Sequence, residues 1–170
     1  MHRRRFLTLA LIAAAPLARP MRAAAAGGTI AIFAAAALRD AFEEDAYRFT
    51  KKTGIDVRLT FGDSDALATQ IVQGAAVDVF VSAGTAPMKR LTTTGLTIDE
   101  PARLAQRRVA VNGSLLDTIA AKADPALATD VPYLIAGLKG AANPGGAETF
   151  IAFMLADGQK ALLARGFSAS

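Results

Sequence analysis

Two turns in the chain could hold an anion, and they differ in the groups that they offer. The stretch 29–42, TIAIFAAAALRDAF, predicts a buried strand that turns into a helix through a run of alanines. The N–H groups of a first helical turn lack carbonyl partners, so an anion can sit there. Because this turn has no serine, threonine or glycine, it offers an anion only backbone N–H groups.

The second turn, GDSDALATQI, places Ser64 directly before a predicted helix. Its hydroxyl can cap that helix or meet a ligand oxygen, and spacing alone favours the cap. Asp63 and Asp65 flank it; either could also cap, and their charges would oppose an anion unless they point away. The role of Ser64 therefore stays open between capping and ligand binding.

The residue types disfavour most catalytic centres. The chain has no cysteine, and its one histidine is His2. Histidine-activated serine or cysteine nucleophiles and nearly all zinc sites need these residues. A carboxylate-dependent hydrolase is an alternative, although we interpret Asp78 and the pair Glu43–Glu44 as strand-end or surface charges. No glycine-rich phosphate loop of the Walker type occurs. We expect a protein that is not an enzyme and has no cofactor.

The first 26 residues predict a secretory signal peptide. Three arginines at 3–5 precede an apolar run from Phe6 to Ala15, and alanines fill positions 23–26. The run is short for a membrane span, and the arginines fit a loose twin-arginine pattern. A buried N-terminal helix is the alternative. We expect export to the periplasm by the Sec or the twin-arginine route.

Removal of this segment changes the charge of the chain. Five of the 19 basic residues lie before residue 27, which leaves 14 against 15 acidic residues, a net charge of −1. The high pI therefore reflects the signal, and no basic stripe remains. We expect no nucleic-acid partner, and a protein that is not membrane-embedded after signal removal.

Apolar patterning predicts the elements that position the two turns. The predicted strands are 29–35, 55–61, 77–83, 107–112 and 131–140. The predicted helices lie at 37–53, within 62–74 with Leu67, Ile71 and Val72 on the apolar side, at 86–95, and twice after Pro144. Alternating strands and helices predict an α/β fold, a mostly parallel sheet with helices on both faces. Turns 34–38, 62–66 and 83–86 should then share the carboxyl edge, where ligands bind in such sheets.

The chain resembles periplasmic molybdate-binding proteins, the solute-binding subunits of molybdate and tungstate ABC importers. The resemblance is carried, in order, by TIAIFAAAALRDAF, VRLTFGDSDALATQI, GAAVDVFVSA, YLIAGLKGAANP and TFIAFMLADGQKALLARGF. It implies a type II periplasmic-binding-protein fold, molybdate or tungstate as ligand, and ABC permease and ATPase subunits as partners. The metal would be held inside an oxyanion through hydrogen bonds, so Cys or His ligands are not required.

The resemblance also implies the site residues. One family ligand serine matches Ser64, and another matches Ala37, where the hydroxyl is missing. The backbone N–H groups of Ala37 and Leu38 could still donate to the anion. A lost hydrogen bond to a charged ligand costs about 1.5–3 kcal/mol, or one to two decades of affinity.

Family members have two lobes that close on the ligand, and the interval between residues 112 and 131 is too short for the second lobe. We expect one lobe formed by 27–112 and 131–170, with 113–130 as a shortened connector. Binding should then be weak, choice between molybdate and sulfate is left open, and an exposed apolar surface would favour self-association. The alternative is a non-binding remnant lobe that acts, if at all, as an interaction protein.

Overall fold

The computed structural model describes residues 28–110 and 128–169. The predicted signal peptide, residues 1–26, and most of the predicted connector lie outside these residues. Five strands form one sheet: β1 (Thr29–Ala35), β2 (Asp56–Gly62), β3 (Val79–Ala83), β4 (Ala102–Ala110) and β5 (Ala128–Gly137). Five α-helices accompany them within the described residues: α1 (Arg39–Thr53), α2 (Ser64–Val72), α3 (Thr85–Thr93), α4 (Pro144–Leu155) and α5 (Gln159–Ala164).

The sheet has the strand order β2-β1-β3-β5-β4. β1 pairs in parallel with β2 and with β3, whereas β5 runs antiparallel to both of its neighbours, β3 and β4. Four strands therefore point the same way and β5 points back, which confirms the predicted α/β class with a mostly parallel sheet. The reversed strand between β3 and β4 was not predicted, because strand periodicity carries no information about direction.

Helices cover both faces of the sheet, as predicted. On one face, α1, α4 and α5 pack against the sheet through an aromatic cluster in which Phe49 and Phe150 meet edge to face at 5.1 Å. On the other face, Leu67 and Ile71 of α2 and Leu91 of α3 pack around Phe80 of β3. Burial on both faces explains why β3 is an almost unbroken apolar run.

Local sequence signals set the helix ends. A short 3-10 turn, Ala36–Leu38, leads from β1 into α1, so the helix begins later than predicted. The helix ends at Gly54, whose φ of 75° is the left-handed conformation that glycine adopts readily. Asn143 caps α4 by accepting a hydrogen bond from the Gly146 N–H at 2.9 Å, and Pro144 fills the first helical position.

Several predicted positions differ from the structure. β4 begins at Ala102, five residues before the predicted strand, and β5 begins at Ala128 within the predicted connector. Val72 was predicted on the buried side of α2, but its side chain is exposed because Leu67 and Ile71 already fill the contact with the sheet. Both strands are long because they pair with each other from Ala102 to Ala110.

Candidate functional site

The three predicted turns lie along one edge of the sheet. The last residue of β1, Ala35, pairs with the last residue of β2, Gly62. One residue earlier, Ala34 pairs with Val81, near the end of β3. The carboxyl ends of the three parallel strands therefore meet, which places the turns 34–38, 62–66 and 83–86 side by side.

Ser64 connects two of these turns. Its side chain is buried, and its Oγ accepts a hydrogen bond of 3.0 Å from the backbone N–H of Ala83. Helix capping by Ser64, which its position alone favoured, is wrong: Asp63 is the N-cap of α2, and Ser64 is the first helical residue. Because a hydroxyl both accepts and donates, the bond from Ala83 leaves the Ser64 hydrogen available to a further acceptor.

The two aspartates beside Ser64 are engaged within the protein. Asp63 Oδ1 accepts from the backbone N–H groups of Asp65 and Ala66, each at 3.0 Å. Asp65 turns toward α3 and forms an ion pair of 2.8 Å with Arg90. The N-terminus of α2 is thus occupied by a carboxylate of the chain itself, so an anion at this turn would rely on the Ser64 hydroxyl instead.

The first turn offers backbone donors. Ala35 precedes the 3-10 turn with no side-chain cap, and the Arg39 N–H closes the turn by donating to the Ala36 carbonyl. Bonds of a 3-10 turn join residues three apart, so the Leu38 N–H is directed at the Ala35 carbonyl, whereas the Ala37 N–H precedes the first such bond. The side chain of Ala37 is exposed and that of Leu38 is buried.

The third turn is held by contacts that the sequence did not reveal. Ser82 is fully buried, and its hydroxyl donates to the Gly84 carbonyl at 3.0 Å. Gly84 has a φ of 78° and donates its N–H to the carbonyl of Pro132 in β5 at 2.8 Å. Only the placement of β5 beside β3 reveals this second contact. The amide of Ala83, which holds Ser64, therefore lies in a turn fixed from both sides.

Asp78 directly precedes β3, at the opposite end of the strand from the carboxyl edge. Its carboxylate accepts from the Ala31 N–H at 2.7 Å and from the Asn143 N–H at 2.8 Å, and its side chain is buried. The strand-end interpretation of Asp78 agrees with these contacts. Glu43 and Glu44 are surface charges, paired with Arg39 and Arg165.

A cavity of about 350 Å³ lies elsewhere, between α4 and the β4–β5 part of the sheet. Its apolar wall includes Ile98, Ile135 and Ile151, and the carboxylates of Asp99, Glu100 and Glu148 also line it. Three acidic side chains would repel an oxyanion. The cavity therefore does not compete with the carboxyl edge as an oxyanion site.

The described ranges contain neither a metal-ligand cluster nor a helix suited to span a membrane. Within 28–110 and 128–169, no three His, Cys, Asp or Glu side chains are grouped to hold a metal ion. None of the helices there has both the length and the apolar character that crossing a bilayer requires. Hydrogen-bond donors at the carboxyl edge thus form the candidate site.

The amino-acid sequence is similar to molybdate-binding proteins over part of its length. The molybdate-binding protein ModA of Mycobacterium bovis is 35% identical over 97 residues, 56% of this chain and 37% of that protein. ModA of Escherichia coli is 42% identical over 80 residues, 47% of this chain and 31% of that protein. The aligned part of the chain thus spans about a third of the length of these relatives.

A solved structure shares the fold of this chain, and the profile of a protein family matches half of its sequence. The periplasmic molybdate-binding protein of Azotobacter vinelandii superposes with a TM-score of 0.66 at 16% identity, covering 83% of this chain and 99% of that chain. This likeness concerns the fold alone. The profile of the family described as bacterial extracellular solute-binding protein matches residues 30–114, which is half of the 170 residues. The chain therefore belongs to the family of bacterial extracellular solute-binding proteins.

Proposed function

We propose that this protein binds a tetrahedral oxyanion, molybdate or tungstate, at the carboxyl edge of its sheet. One observation carries the proposal: Ser64 is buried at this edge and its oxygen already accepts from the Ala83 N–H, which leaves the hydroxyl hydrogen available to a ligand oxygen. The similarity to molybdate-binding relatives supports the choice of ligand. The role of Ser64 is that of a neutral donor to an oxyanion oxygen.

Backbone groups of the neighbouring turn would complete this side of the site. The N–H groups of Ala37 and Leu38 stand at the start of a helix, where the aligned peptide dipoles favour negative charge. The resemblance to molybdate-binding proteins implies a ligand hydroxyl at the position of Ala37, and alanine does not supply one. We therefore expect binding weaker by about one to two decades than with a hydroxyl at this position.

We further propose that the predicted connector, 113–130, takes the place of a second lobe, although its last three residues belong to β5. β4 and β5 are antiparallel neighbours, and Ala110 lies opposite Ala128, so 17 residues connect the two paired strand ends. The described donors then all come from one side of the ligand. Without a covering lobe, water stays in contact with the ligand and weakens each hydrogen bond.

Export and transport complete the proposal. Residues 1–26 would direct the chain to the periplasm by the Sec or the twin-arginine route. There it would deliver the oxyanion to an ABC permease and its ATPase. These partners follow from the similarity to molybdate-binding relatives.

Isothermal titration calorimetry of residues 27–170 with molybdate, tungstate and then sulfate tests the proposal. We expect saturable heat with molybdate and its loss, or a drop in affinity of at least tenfold, in Ser64→Ala. Thr149→Ala removes an exposed hydroxyl that donates to the Gly145 carbonyl on α4. This control should bind like the unmodified protein.

Ala37→Ser provides the opposite test in the same titration. A restored hydroxyl should raise molybdate affinity by about tenfold to a hundredfold, because it adds one hydrogen bond to a charged ligand. Ala36→Ser places the same hydroxyl one residue earlier and should have a much smaller effect. Absence of heat at millimolar molybdate in all folded variants would contradict oxyanion binding and favour the non-binding remnant.

A further inference from the structure

Arg39 follows the donor amides of the first turn directly, and its side chain reaches back over β2. Its guanidinium carbon lies 4.5 Å from the centre of the Phe61 ring. Phe61 precedes Gly62, the last residue of β2, and pairs with Ala34 next to the end of β1. The stacking contact therefore holds a positive charge beside the carboxyl edge, at the two strands whose turns contain Ala37 and Ser64.

This charge is only weakly compensated. The nearest carboxylate partner, Glu43, is 3.4 Å away, and both side chains are more than half exposed to solvent. Exposed pairs at this spacing contribute little because water screens them. Arg90 is different: it forms a 2.8 Å ion pair with Asp65 and also donates to Thr69 at 3.0 Å. The ion pair between Arg39 and Glu43 can therefore break at a low cost in free energy. Arg90, by contrast, is held by its contacts with α2.

We propose that Arg39 is an electrostatic recognition residue for the oxyanion bound at this edge. The inference rests on the proposed function and adds to it a cation that acts together with the neutral donors. A guanidinium presents several N–H donors in a plane and suits the oxygens of a tetrahedral anion. Its attraction for a dianion extends over several ångströms and weakens with salt. Arg39 thus compensates in part for the hydroxyl missing at Ala37.

Charge-altering variants test this inference by titration with molybdate at low and high ionic strength. Arg39→Gln should reduce affinity by about threefold to tenfold at 20 mM salt, and the difference should shrink toward twofold at 500 mM. Arg39→Lys should keep most of the affinity at low salt, because the charge remains. Arg58→Gln removes an exposed arginine three residues before Phe61 on the same strand and changes net charge equally. It should alter affinity by less than twofold.

Glu43→Gln provides the reciprocal test. The Glu43 carboxylate competes weakly with the anion for the Arg39 guanidinium. Its removal should therefore raise molybdate affinity by about twofold or more at low salt. This gain should vanish in the double variant Arg39→Gln/Glu43→Gln, since the effect acts through the arginine.

The outcomes separate this inference from the proposed function. If the unmodified chain binds molybdate and Arg39→Gln matches Arg58→Gln at low salt, the inference is wrong and the proposed function stands. If Arg39→Gln weakens binding equally at both salt concentrations, the arginine acts through packing on Phe61 and the electrostatic role is also wrong. If the folded, unmodified chain shows no saturable binding, the proposed function fails and this inference fails with it.

Discussion

At the scale of single residues, Asp45 is a carboxylate buried in the inner face of α1. Its Oδ1 accepts from Arg48 at 2.8 Å, whereas no described group bonds to its Oδ2. Burial raises the pKa of Asp45 from 3.8 to about 6, although the charge and hydrogen bond of Arg48 lower it and Glu44 adds repulsion. Arg165 also faces this carboxylate and lowers its pKa slightly. The charged form therefore destabilises the folded state at neutral pH.

This burial predicts a specific pH dependence of stability. Because the folded-state pKa is raised, the stabilising contribution of Asp45 is complete below about pH 4 and is lost as pH rises through 6. Asp45→Asn should raise the free energy of unfolding at pH 7.5 by on the order of 2–3 kcal/mol and have little effect at pH 4. Urea denaturation at both pH values measures this.

Asp56→Asn supplies the control, because it neutralises an exposed carboxylate at the start of β2. If both variants increase the free energy of unfolding at pH 7.5 by the same amount, net charge rather than burial causes the effect. No gain for Asp45→Asn would show that Arg48 already compensates the buried charge.

At the scale of elements, one carboxylate joins two strands and a helix. Asp78 binds the N–H of Ala31 in β1 and the N–H of Asn143 at the cap of α4, and its own carbonyl accepts from Leu138 after β5 at 3.0 Å. Asn143 in turn caps α4. The junction fixes the amino ends of the strands and so orients the carboxyl edge at their other end.

Loss of this junction should destabilise the whole sheet. Asp78→Ala leaves two partly buried N–H groups without acceptors and should lower the free energy of unfolding by about 2–4 kcal/mol. Asp78→Asn retains one acceptor oxygen and should lower the free energy of unfolding by about half as much. Thermal denaturation followed by circular dichroism measures both, with Asp99→Ala as the exposed-carboxylate control. Equal melting temperatures for the two alanine variants would contradict the structural role of Asp78.

At the scale of the whole molecule, the pairing of β4 with β5 closes the sheet without the intervening segment. Ala110 and Ala128 lie opposite each other, and antiparallel neighbours can be joined by a very short turn. We expect that replacement of residues 111–127 by a four-residue turn preserves the fold. The melting temperature should stay within a few degrees of that of the unmodified chain.

The same replacement tests the role proposed for the connector. If residues 111–127 only connect the two parts of the sheet, the shortened chain should keep its molybdate affinity as well as its fold. A large fall in melting temperature would show that the replaced segment stabilises the sheet. Loss of binding from a folded chain would place ligand contacts in that segment.

The sequence by itself determined the class of fold and the edge at which ligands would bind. Alternating apolar strands and amphipathic helices are local patterns, and parallel strands joined by helices must end at one edge. The residue types also limited the chemistry, since a chain without cysteine and with one histidine has few nucleophiles or metal ligands to offer. The sequence did not determine which residue caps α2, because the side chains of Asp63 and Ser64 are both common N-caps.

Only the tertiary structure decided which groups are free to act. Ser64 is hydrogen-bonded to Ala83 and Asp65 is ion-paired with Arg90, whereas Gly84 is hydrogen-bonded to β5. Each of these contacts joins residues that are distant in the sequence. The antiparallel direction of β5 and the stacking of Arg39 on Phe61 are likewise long-range relations. Hydrogen bonds and ring contacts of this kind depend on distances of a few ångströms between separate elements. Periodicity along one segment holds no information about them.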